Sequence, residues 1–166
     1  MVDTVRVLVS WQCNMKCPYC CNDTLPEVRA GIRPARLEDL DAARYKVVCI
    51  SGGEPLMFMS KVRDACRWAA GRYIVLYTNG LLLTPETAVM LVSWGVRAIN
   101  VGLHNPTTFG PLIARARAAF AGLPVSVRFH VENTHTYLAG AYPGLAFRFW
   151  QRDDCARANE DRVILQ

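Results

Sequence analysis

Val5-Arg6-Val7-Leu8-Val9-Ser10-Trp11-Gln12-Cys13-Asn14-Met15-Lys16-Cys17-Pro18-Tyr19-Cys20 stands near the start of the chain. Its first part, Val5 to Trp11, predicts a buried strand. Its second part has the spacing C-x3-C-x2-C and predicts a loop that carries three thiols together. Three closely spaced thiolates can hold three irons of a [4Fe–4S] cube, which leaves one iron without a protein ligand. An electron carrier normally covers that iron with a fourth cysteine. A metal site that keeps an open position is built to bind something there.

Working outward from this strand and loop, the chain alternates between the two secondary-structure periods. Residues 21–35 hold turn formers, including Pro26, Gly31 and Pro34, and Leu37 to Arg44 predicts a short helix. Lys46 to Ser51 predicts a second strand, ended by Gly52-Gly53. Ser60 to Ala70 carries Val62, Cys66 and Ala69 at helical spacing. Tyr73 to Tyr77 is a third strand, ended by Thr78-Asn79-Gly80. Thr84-Pro85 is a helix start, with Thr84 as cap and Pro85 in the first position, and that helix stops at Gly95. Arg97 to Leu103, Val125 to Val131 and Leu145 to Trp150 supply three more strands, with a helix over Thr108 to Ala121. Between the last two strands there is room only for a loop or one helical turn.

Strands alternating with helices imply parallel βαβ units. A complete (β/α)8 barrel typically needs about 250 residues, and this chain has 166. The expectation is therefore an α/β fold, an open partial (β/α)6 TIM-like barrel. It would form a single domain over residues 1–166, with a core from about 5 to 150 and a C-terminal tail from 151 to 166. In such folds the chemistry sits at the carboxyl ends of the strands. The cysteine loop, Gly52-Gly53-Glu54 and Thr78-Asn79-Gly80 each follow a strand, so all three fall on one rim.

Composition narrows the setting. Hydrophobic residues make up 52% of the chain, which excludes a disordered or fibrous protein. Apolar runs such as Tyr73 to Tyr77 are too short to span a bilayer, and Asp3 and Arg6 interrupt any signal-peptide core. The expected location is cytoplasmic, with no membrane partner. Seven cysteines in that setting argue for reduced thiols or metal rather than disulfides. The net charge of +5 is spread over both halves of the chain. It mildly favours an anionic substrate or partner and is too diffuse to indicate nucleic acid.

With these motifs in place, the chain resembles the radical S-adenosylmethionine (SAM) superfamily. The resemblance rests on Cys13, Cys17 and Cys20 with the aromatic Tyr19 before the last of them. Ser51-Gly52-Gly53-Glu54-Pro55 and Thr78-Asn79-Gly80 reinforce it, and it covers Val5 to about Trp150. It implies a [4Fe–4S] cluster on the three cysteines whose open iron chelates the methionine part of SAM. Reduction would then cleave SAM to methionine and a 5′-deoxyadenosyl radical, which takes a hydrogen atom from a substrate. The electron donor would be a protein such as flavodoxin or ferredoxin. The resemblance further implies that the Gly52-Gly53 turn meets the SAM amino group, with Glu54 strengthening the contact or fixing the turn. Tyr19 would lie near the adenine, and Asn79 and Gly80 would shape the neighbouring rim. His104 and Asn105 are the candidates for a polar contact to ribose or carboxylate. Ser126, Arg128, His130 and Glu132 share one face of a strand, so Arg128 and His130 could meet SAM or substrate, with Asn133 beyond them. Phe147 and Phe149 alternate with Arg148 and Trp150, and one of these pairs could flank the adenine.

Plainer readings compete for several of these residues. Zinc could use Cys13, Cys17, Cys20 and Cys21, but adjacent cysteines make a poor tetrahedral pair, and zinc leaves the two downstream motifs unexplained. Cys49 and Cys66 read as small core hydrophobes, Cys155 as an exposed thiol, and His135 as a solvated turn residue. Arg115 and Arg117 read as a solvated helix face. For the substrate, a peptide or protein is favoured by a narrow margin. Modified nucleobase, sugar or cofactor biosynthesis and activation of a glycyl-radical enzyme are the alternatives. An iron–sulfur protein that binds SAM without making a radical is the competing class.

Overall fold

The structure is a computed structural model that describes residues 2–20, 22, 29–151 and 159–166. Pro26, Cys21 and Cys155 lie outside the described residues. Eight parallel strands form one sheet: β1 (Thr4–Leu8), β2 (Arg33–Ala35), β3 (Val47–Ser51), β4 (Tyr73–Thr78), β5 (Val96–Leu103), β6 (Ser126–Glu132), β7 (Ala146–Trp150) and β8 (Asp161–Leu165). Their order is β2-β8-β1-β3-β4-β5-β6-β7, so β2 and β7 are free edges and the barrel stays open. The helices that lie wholly within the described residues are α1 (Met59–Trp68), α2 (Pro85–Ser93), α3 (Phe109–Ala119) and a single turn, α4 (Leu138–Ala141).

The six expected strands are all present, and so is the brief turn between the last two of them. Thr84 caps α2 by accepting from the Thr87 backbone N–H, and Pro85 takes the first helical position. Three segments differ from the sequence expectation. Leu37 to Arg44 forms two short 3-10 turns rather than one helix. Arg33–Ala35 pairs as a strand although it contains Pro34, which is tolerated because β2 is at the sheet edge. Residues 161–165, assigned to the tail, form β8 and lie between β2 and β1. A five-residue strand that pairs with the other end of the chain leaves no local signal beyond its alternation.

Alternation along each strand divides the sheet into two unlike faces. The outer face carries Val5, Val7, Val48, Ile50, Ile74, Leu76, Ile99, Val101, Phe129, Val131 and Val163. These pack with Val62, Ala65 and Cys66 of α1, Ala88 and Leu91 of α2, and Leu112, Ile113 and Ala116 of α3. Burial of each larger aliphatic side chain contributes about 1.5–3 kcal/mol. The inner face presents Arg6, Arg162, Tyr77, Asn100, His130 and Arg148, with only a small apolar cluster of Leu8, Ile32, Trp11 and Ile164. A closed barrel fills its interior with branched side chains; this one keeps a hollow whose wall carries both apolar and charged groups. Among the described residues no helix is long and apolar enough to cross a membrane.

Candidate functional site

A cavity of about 310 Å³ occupies that hollow at the carboxyl ends of the strands. Cys13, Cys17 and Cys20 line it from the loop after β1, Gly52 and Gly53 from the turn after β3, and Asn79 from the turn after β4. The loops are stitched together by main chain. Val9 N–H donates to the Ser51 carbonyl at 3.0 Å, Gly53 N–H to Ser10 at 2.8 Å and Glu54 N–H to Gln12 at 2.9 Å.

The glycines are needed for this stitching. Gly52 has φ +135°, and a Cβ on it would lie 2.4 Å from the Ser10 carbonyl oxygen; one on Gly53 would lie 2.0 Å from that of Gln12. The close approach seen is to the cysteine loop's own backbone, and the same two glycines also line the cavity.

Glu54 is 1% exposed and sits behind the rim, outside the cavity lining. Its Oε1 accepts from Leu56 N–H (3.0 Å) and the Thr78 hydroxyl (2.7 Å), and its Oε2 from Asn79 N–H (2.7 Å). It fixes the end of β3 to the end of β4. Burial pushes its carboxyl above the usual range, against the pull of those three donors. Asn79 in turn donates from Nδ2 to Asn14 Oδ1 at 2.7 Å and lies 3.8 Å from Cys13 Sγ. One chain of hydrogen bonds thus runs from buried Glu54 through Asn79 to the partly exposed cysteine loop.

Cys17 is pushed up first by burial and then by the Cys20 and Cys13 sulfurs, so bare thiolates here repel one another. Iron bound as a cluster would relieve that repulsion by giving each sulfur its own iron, so the donor set suits a [4Fe–4S] cube.

Tyr19, His104 and His130 also line the cavity. The Tyr19 hydroxyl donates to the His104 carbonyl, and its ring lies 6.1 Å from that of His104 and 6.4 Å from that of Trp150. The His104 ring covers Gly102, where a Cβ would lie 2.3 Å from Nε2. His104 Nδ1 and His130 Nε2 are buried without a hydrogen-bond partner. Burial holds His104 below its ordinary value. His130 is held down to about 3 by burial and then by Arg148, Arg128, Arg6 and His104.

Besides Glu54, the candidates Asn105, Arg128 and Asn133 do not line the cavity. Asn105 is exposed and its Oδ1 accepts from Thr107 N–H at 3.1 Å, capping the turn before α3. Arg128 shares the face of His130 but is exposed. Asn133 is exposed as well. Of the alternating pairs on β7, Arg148 and Trp150 face the cavity, while Phe147 and Phe149 pack on the outer core. Cys66 joins that core; Cys49 is equally buried but faces inward, near Arg6 and Tyr77. His135, expected in solvent, is half-buried with its ring edge-on to Phe109 at 5.2 Å. Arg115 donates to the Leu81 carbonyl.

Sequence reasoning missed a charged group on the inner face. Arg6 Nε and Nη2 donate to Glu160 at 2.6 and 3.1 Å, Arg162 Nε donates to the same carboxylate at 3.0 Å, and Arg6 lies 4.4 Å from the Tyr77 ring centre. Burial alone would raise Glu160, but Arg6 and Arg162 outweigh it and hold the carboxyl below its usual range. The available signal was Arg6 itself, a charge in the middle of an apolar strand.

Comparison with known proteins supports the same reading. A GTP 3′,8-cyclase of Synechococcus sp. (strain WH7803) is 32% identical over 120 residues, covering 60% of this chain and 33% of that protein. An AdoMet-dependent heme synthase of Methanosarcina barkeri is 29% identical over 128 residues, covering 70% and 35%. The chain thus spans about a third of the length of these curated relatives. In structure it resembles BtrN in complex with AdoMet and 2-DOIA, with a TM-score of 0.58 at 19% identity over 82% of this chain and 59% of that one. The profile of the radical SAM superfamily matches residues 7–122. With that match over more than half its length, the chain belongs to the radical SAM superfamily, whose cofactors are a [4Fe–4S] cluster and SAM.

Proposed function

We propose that the chain binds a [4Fe–4S] cluster on Cys13, Cys17 and Cys20, together with SAM, and abstracts a hydrogen atom from a small substrate. The observation that carries this reading is the three thiols and the Gly52-Gly53 turn lining one cavity beneath the strand ends. When bound and reduced, the cofactor pair supplies the radical chemistry.

The chain's own residues do the rest. The thiolates hold iron, and the Glu54–Asn79 chain keeps their loop in register with the glycine turn. Tyr19, His104 and Trp150 form an aromatic wall against which an adenine can lie. Glu54 acts as a positioning residue. The inner face, with its polar side chains, is the candidate substrate wall.

Among the relatives, GTP 3′,8-cyclases and a heme synthase act in the making of nucleotide- or porphyrin-derived compounds, by their names. This supports a nucleobase, sugar or cofactor precursor over the peptide favoured from sequence alone. The electron donor would be a flavodoxin or ferredoxin.

The test is anaerobic reconstitution, reduction with dithionite and incubation with SAM. Methionine and 5′-deoxyadenosine should form, and Cys17→Ala should reduce both to background. Equal yields from the two proteins, or none from either with a full iron complement, would refute the reading.

A further inference from the structure

Among the described residues, Arg6, Arg148, Arg162 and Glu160 line the cavity. Glu160 is already committed, with Arg6 on both oxygens and Arg162 on one. That carboxylate balances Arg6, which leaves the Arg148 guanidinium as an unmatched positive charge among the described residues, in a partly enclosed space. Such a surplus is costly unless a counter-charge meets it. Arg148 enters from β7, on the other side of the hollow from β1 and β8, and makes no hydrogen bond or ion pair within the described residues. The two sides meet: Arg148 is the register neighbour of His130 on the adjoining strand, the His130 ring lies edge-on to Tyr77 at 5.4 Å, and Arg6 lies 4.4 Å from the centre of that same Tyr77 ring. His130 adds a neutral ring whose Nε2 is buried and unpartnered. Two guanidinium groups flanking a neutral imidazole suit an oxyanion, because guanidinium N–H groups match carboxylate and phosphate geometry.

We infer that the inner wall formed by Arg6, Arg148 and His130 is a subsite for an oxyanion of the substrate, a phosphate or a carboxylate, with Glu160 orienting Arg6. This inference rests on the proposed function, since it makes the cavity a substrate site beside SAM. Arg6 lies in mid-strand, seven residues before Cys13, so the anion is held at the floor and the cysteine loop at the rim. A substrate anchored by its anion would present a distant carbon–hydrogen bond to the rim.

The test uses isothermal titration calorimetry on the reconstituted, unreduced protein with SAM present, so no turnover is needed. Inorganic pyrophosphate and malonate are the probes, and they separate a phosphate preference from a carboxylate one. Saturable binding of at least one is expected. Arg148→Gln should weaken it at least about tenfold, the loss for one charge-assisted contact. The paired change Arg6→Gln with Glu160→Gln, which leaves no lone buried carboxylate, should weaken it similarly. Arg97→Gln, an exposed control outside the cavity, should leave it unchanged. No binding of either probe, binding indifferent to both cavity variants, or displacement of the probe by SAM would overturn the inference. Arginine-dependent binding in a protein that never cleaves SAM would sink the proposed function and leave the subsite standing. SAM cleavage without anion binding would do the reverse.

Discussion

The two faces of one sheet follow opposite rules. Outward, Val48, Ile50, Ile74, Leu76, Ile99 and Val101 meet the helices and are at most 2% exposed. Inward, often one residue away, stand Ser51, Tyr77, Asn100 and the Arg6–Glu160–Arg162 group. The outer face gains from leaving water, and almost any well-fitting apolar residue would serve. The inner face carries polar groups that are stable only with particular partners in a particular geometry. One face holds the fold together and the other holds the chemistry, and a strand's period of two keeps them apart.

That division is open to direct attack. The largest effect should come from the outer face: Leu76→Ala removes a fully buried side chain and should cost about 2–5 kcal/mol in urea unfolding. Cluster loading of the protein that remains folded should be unchanged. A variant with intact stability and lost iron would erase the distinction between the faces.

On the inner face, Glu160→Gln should cost about 1–3 kcal/mol at neutral pH, by stripping a charged acceptor from two arginines. The sign with pH is definite. Because the folded state holds the Glu160 carboxyl below its ordinary value, its contribution is present above the unfolded value of about 4.3. It is lost as pH falls through the lower folded value. Unfolding curves of wild type and variant should therefore converge on acidification. Curves that stay parallel down to pH 2 would show that Glu160 is not the acceptor described.

The smallest effect belongs to Glu54→Gln, about 1 kcal/mol, because losing the Asn79 N–H acceptor is partly offset by removing a buried charge. Its pH dependence should run the other way. Burial raises the folded value, so the residue's favourable contribution is present in acid and is lost as pH rises through that raised value. A readout of the cysteine loop should also respond: iron bound per chain should fall, since Asn79 transmits the Glu54 position to Asn14 and Cys13. Unaltered iron content would separate Glu54 from the loop.

Legibility followed the range of the interactions. Strand β1 running into the cysteine loop, the capped start of α2, and the Gly-Gly turn each depend on neighbours within a few residues, and each was readable in order. Tyr19, Gly52, Gly53, Asn79, His104 and His130 were expected at the site and do line one cavity. Asn105 and Arg128 were also expected there and are exposed, the first because its side chain caps the turn after β5 and the second because strand parity gives a direction but not a depth. Glu54 was read as a ligand contact or a turn brace, and the geometry supports the brace. Arg6 was visible as an oddity without an explanation, because its partner stands 154 residues away.

By itself, then, the sequence determined the parallel α/β alternation, the thiol-bearing loop and the rim on which three motifs meet. Each is written in local periodicity, backbone freedom or the ligand chemistry of sulfur. Only the tertiary structure decided that β8 returns beside β1, that the glycines make room for main chain, and that Arg6 and Arg162 meet on Glu160 inside the hollow. Those features are pairings between distant segments, and a chain read one residue after another carries no record of which distant charge will end up across from which.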